Sequence, residues 1–152
     1  MFKMKLIKAL KTKNRLAGEV RRLQQILQRE NSRKLDDTAS TINRRELEFE
    51  MLETVDKLIN IKTAIAKANI NIYSKIERMS ELKSLIVFYS SLNTKHGSYD
   101  ESDYDKERIV QYDALYKQED VDKKIKELKS QIEELQDEID EYNSRTMIKL
   151  DN

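Results

Sequence analysis

Between residues 121 and 142 the apolar side chains Val121, Ile125, Leu128, Ile132, Leu135, Ile139 and Tyr142 recur at alternating spacings of four and three. That rhythm lines all seven along one stripe of an α-helix and leaves Lys, Glu, Asp and Gln to cover the remaining surface. Burying one such residue is worth about 1.5–3 kcal/mol, while ordering each backbone position costs about 1–2 kcal/mol. Most positions lie off the stripe, so the helix is stable only when other helices close over it. The predicted fold class is all-α: an elongated antiparallel bundle of long helices with coiled-coil character.

The composition favours such rods. Proline is absent and Gly18 and Gly97 are the only glycines in 152 residues, so helix breakers are scarce and a glycine-rich phosphate loop cannot be built. Charged and hydrophobic residues each make up 38% of the chain, a balance that suits one buried stripe per helix with wide solvated faces. The absence of cysteine removes disulfides, thiolate nucleophiles and thiolate metal sites. The longest mostly apolar run, Leu85–Tyr89, falls far short of the roughly 20 residues that cross a bilayer. Met1–Leu10 interleaves lysine with apolar residues, unlike a secretory signal. The expectation is a cytoplasmic protein that is not transmembrane.

Periodicity predicts helices at about 3–31, 41–69, 73–92 and 118–144 within a single domain, 1–152. In the first, Leu6, Leu10, Ala17, Val20, Leu23 and Leu27 form the stripe, widened by Ile7, Leu16 and Ile26. In the second, Met51, Val55, Leu58, Ile61, Ile65, Ala68 and Ile72 do so, with Thr38, Ser40 or Thr41 as the candidate cap. Residues 69–73 read as a helical join, and Ile76, Met79, Leu82, Ile86 and Tyr89 face inward beyond it. The segment 93–117 reads as irregular, except that 108–116 alternates polar and apolar as a strand does. Its expected partner is 146–150, which gives a minor two-stranded element.

Net charge is only +1, but it is unevenly spread. Residues 1–34 carry eleven Lys/Arg against Glu19 and Glu30, a balance of +9, and residues 119–152 carry eleven Asp/Glu against six Lys/Arg, a balance of −5. The main expectation is attraction between basic and acidic helices, within or between chains. Lys8, Lys11, Arg15 and Arg22 are the candidate anion-binding residues, for nucleic-acid phosphates or an anionic membrane surface. A second candidate site lies around residues 93–118, where His96, Tyr99, Tyr112 and Tyr116 bring aromatic rings and the single imidazole into irregular backbone. Asp100, Glu101, Asp103, Asp105 and Glu107 do not fit a calcium loop, because the sixth residue from Asp103 is Arg108 rather than glycine. No catalytic residue, metal site or cofactor is predicted.

Three stretches carry a family resemblance: Met4-Lys-Leu-Ile-Lys-Ala-Leu10, Ser80-Glu-Leu-Lys-Ser-Leu-Ile86, and Leu135-Gln-Asp-Glu-Ile-Asp-Glu-Tyr-Asn143 followed by Thr146. In that order they resemble a family of small, largely helical bacterial proteins of unknown function, sometimes labelled septicolysin-like. The resemblance spans nearly the whole chain and implies a largely helical fold; no catalytic residues are carried over from it. The expected function is therefore a non-catalytic structural or interaction module, a homo-oligomer with protein partners, assembled through coiled-coil surfaces such as the Val121–Tyr142 stripe. Nucleic-acid or anionic-surface binding through the first helix is one alternative. A small-ligand or enzymatic site around 93–118 is the other.

Overall fold

Asparagine 43 starts the helix that carries most of this fold: its side-chain oxygen accepts the backbone N–H groups of Arg45 at 3.2 Å and Glu46 at 3.3 Å, which satisfies donors that a helix start leaves open. A computed structural model describes residues 2–35 and 41–150. Within them the order is β1 (Phe2–Lys5), α1 (Leu6–Glu30), α2 (Arg44–Asn69), a 3-10 turn (Ile70–Ile72), α3 (Tyr73–Ser90), β2 (Gly97–Asp100), β3 (Ile109–Tyr112), α4 (Gln118–Arg145) and β4 (Met147–Leu150). The chain is predominantly helical with small two-stranded sheets. The cap of α2 differs from expectation: Thr41 is exposed and Asn43 takes the role, while Thr38 and Ser40 lie outside the described residues.

The chain is organised as two compact units. The first comprises Met1–Asn71 with Asp140–Asn152, and the second Ile72–Ile139. In the first, α1 packs antiparallel on α2, so Leu6, Ala9 and Leu16 meet Ile61 and Ile65. Met4 of β1 and Ile148 of β4 complete this core, and Tyr142 seals it by donating its hydroxyl to the Ala68 carbonyl at 2.7 Å. In the second, α3 and α4 run antiparallel. Lys75 pairs with Glu138, the Lys124 ammonium lies 5.9 Å from the Tyr89 ring centre, and Thr94 donates to Gln118 at 3.0 Å. Leu82, Val121 and Leu128 are buried there.

The minor sheet expected between 108–116 and 146–150 is not formed, because each segment has a different partner. β3 pairs with β2 as an antiparallel hairpin, Tyr99 opposite Val110 and Gly97 opposite Tyr112. Closing a hairpin over the short 101–108 connection costs less chain entropy than reaching across α4. Gly97 opens β2 at φ +90°, a conformation that favours a residue without a Cβ. β4 pairs with β1, Met4 opposite Ile148 and Lys5 opposite Met147. The expected helix start at residue 3 is displaced to Leu6 for the same reason. Phe2-Lys3-Met4-Lys5 alternates with a period of two, and the returning chain offers it a strand, with Leu6 N–H donating to Thr146 O at 2.8 Å. Ile7, expected to widen the α1 stripe, is 40% exposed.

Candidate functional site

Three sites were predicted from sequence, and the fold treats them differently. The aromatic one comes together around the β2–β3 hairpin. Tyr99 and Tyr112 lie diagonally on one face of the hairpin, their rings edge to face with centres 5.5 Å apart. The Lys95 ammonium lies 5.4 Å from the Tyr99 centre and 5.1 Å from that of Tyr112, where the negative ring faces attract a cation. The same ammonium is 3.4 Å from a carboxylate oxygen of Glu101, and the Tyr112 hydroxyl donates to that oxygen. This hydrogen bond, with the Lys95 charge behind it, holds the Glu101 carboxyl below the usual carboxylate range. It also holds the Tyr112 phenol above its usual range.

His96 stands beside this cluster without joining it. Its Nδ1 accepts the Ala114 backbone N–H at 3.2 Å, and an Asp113 carboxylate oxygen lies 3.9 Å from the same atom. One nitrogen cannot accept from an amide and also carry the proton for an ion pair. The Ala114 contact is the shorter of the two, and the Asp113 carboxylate is fully exposed to water. The imidazole thus ties the chain after β3 to the start of β2. Tyr116 is not part of the cluster: its ring packs edge to face on Tyr89 of α3, 5.6 Å between centres. The hairpin's polar groups are engaged with one another: the Ser102 hydroxyl donates to the Asp100 carboxylate, and the Gln111 amide donates to the Ser98 hydroxyl at 2.6 Å. Among the described residues no group of three or more His, Asp or Glu converges as metal ligands do.

The basic site is arranged on one helix face. Spacings of three, four and seven put Lys8, Lys11, Arg15 and Arg22 on the same side of α1, away from Leu6, Ala9, Leu16 and Val20. All four are exposed. Arg22 is already matched, its Nε and Nη2 donating to the two carboxylate oxygens of Glu19 at 3.1 and 2.6 Å. That fork keeps the Glu19 carboxyl below its usual range. Lys8, Lys11 and Arg15 make no ion pair with the described residues.

The α4 stripe is partly covered within the chain. Val121, Leu128 and Ile139 are buried, and Ile125, Ile132, Leu135 and Tyr142 are half-buried. α2 also exposes apolar side chains. On α2, Phe49 is 64% exposed, and Leu52 and Ile59 are each 53% exposed, while Ile61 and Ile65 on the other side are buried. Sequence reasoning missed this face. Its signal was present: Phe49, Leu52, Ile59 and Ala66 follow a heptad rhythm of their own beside the Met51–Ala68 stripe.

No helix among the described residues is long and apolar enough to cross a membrane. Comparison with known protein families, with curated proteins and with solved structures gives no match.

Proposed function

We propose that this protein is a non-catalytic helical interaction module that self-assembles through coiled-coil faces. The observation that carries the reading is the second apolar stripe of α2, Phe49, Leu52 and Ile59, exposed on a helix whose other face is already packed on α1. Isolated exposed apolar residues are ordinary, but Phe49 beside Leu52, with Ile59 two turns on along the same helix face, is an arrangement that marks interaction surfaces. The reading includes a cytoplasmic setting, on the cysteine-free composition, and the septicolysin-like resemblance, on the three stretches that carry it. Mass determination in solution by light scattering and sedimentation tests it. An assembly of at least two 18.0-kDa chains at micromolar concentration is the expected result. A monomer throughout that range refutes the reading.

A second reading rests on the α1 face, where Lys8, Lys11 and Arg15 are exposed together. A nucleic-acid backbone or an anionic lipid surface meets such a row through counterion release, so binding falls steeply with salt. Charge reversal at Lys8, Lys11 and Arg15 abolishes it. No measurable binding to duplex DNA, RNA or anionic vesicles at low salt ends this second reading.

A further inference from the structure

The α2 face has a charge pattern that specifies its partner. Positions 49, 52, 56, 59, 63 and 66 alternate at spacings of three and four and are all exposed. They hold Phe49, Leu52, Asp56, Ile59, Thr63 and Ala66, large residues at the first end and small ones at the last. Charge along the helix is just as polarised. The half from Arg44 to Asp56 opens on Arg44 and Arg45 and then holds five acids with no further base, and the half from Lys57 to Asn69 contains three lysines and no acid.

Resting on the reading that the protein self-assembles, we propose that a second copy of this chain packs its own α2 antiparallel on this face about a twofold axis. The axis passes between residues 57 and 58. Phe49 then opposes Ala66 of the second copy, Leu52 opposes Thr63, and Asp56 opposes Ile59, so that large side chains meet small ones in every layer but the central one. The flanking positions of an antiparallel pair meet their own kind across the seam. That brings Glu48 to Lys62 of the second copy and Glu53 to Lys67, each twice by symmetry, giving four opposite-charge pairs. A parallel pairing instead sets Glu48 beside Glu53 of the second copy and Lys62 beside Lys67, giving four like-charge pairs. Orientation is therefore decided by charge, and affinity by the apolar layers. Asp56, negative in the central layer, weakens the seam and keeps the association reversible.

Sedimentation equilibrium of the full chain and five variants tests this, with circular dichroism to verify that each is folded. Leu52→Asp and Ile59→Asp act on exposed side chains and leave the α1–α2 core intact; each is expected to raise the dimer dissociation constant by roughly ten- to a hundredfold. Asp56→Leu lowers it by at least about tenfold. Glu48→Lys with Glu53→Lys weakens the dimer, and adding Lys62→Glu with Lys67→Glu restores it, because the fourfold exchange regenerates every antiparallel pair. A dimer indifferent to Leu52→Asp and to the charge exchange overturns this interface while leaving self-assembly standing by another face. A double charge variant whose loss the fourfold exchange does not restore overturns the antiparallel arrangement. A wild-type chain that stays monomeric overturns both.

Discussion

Tyr112 shows how one side chain ties a hairpin to its own loop. Its ring packs on Tyr99, its hydroxyl donates to Glu101, and Lys95 lies over the ring and beside the carboxylate. The directions of the two pKa shifts fix the pH window. Glu101 is held below the ordinary carboxylate range, so its contribution is fully present above that range and is lost as pH falls through the lowered value. Tyr112 is held above the ordinary phenol range, so its contribution is intact below that range and disappears as pH climbs through the raised value. The hairpin is accordingly best held on the plateau between them. In an ultraviolet titration of phenolate absorbance, Glu101→Gln is expected to return the Tyr112 transition toward the ordinary phenol range. A transition that does not move shows that the bond is not formed in solution.

Elements are set by ends as much as by faces. α2 begins at Asn43 because a short amide side chain there accepts two open amide donors. Asn43→Ala is expected to cost about 1 kcal/mol, read as a lower midpoint in urea unfolding at unchanged slope. An unchanged midpoint removes the cap from the account. The strands follow a different logic. Phe2–Lys5 alternates over only four residues and Met147–Leu150 opens on two consecutive apolar ones, so neither is decisive alone, and each becomes a strand because the other lies opposite it. Gly97–Asp100 gives even less warning, since its glycine, serine and acid read equally well as a loop.

For the whole molecule the two faces of α2 are the deciding contrast. Ile61 is 2% exposed in the α1–α2 core and Phe49 is 64% exposed opposite it. Ile61→Ala is expected to cost about 2–5 kcal/mol in chemical unfolding, whereas Phe49→Ala stays within about 0.5 kcal/mol when measured at concentrations where the chain is monomeric. Comparable losses at the two positions refute the assignment of inner and outer faces.

Much of this molecule is legible in local periodicity. The helical segments, apart from the start of α1, and the sets of residues that share one side of each helix follow from spacing. What spacing cannot supply is the identity of the neighbour. That β3 takes β2 and β4 takes β1, that Tyr116 packs on Tyr89 rather than joining Tyr112, and that α2 keeps apolar side chains exposed are long-range outcomes. They depend on which surfaces the folded chain brings within a few ångströms, and a periodic pattern states only that a surface must be covered, not by what.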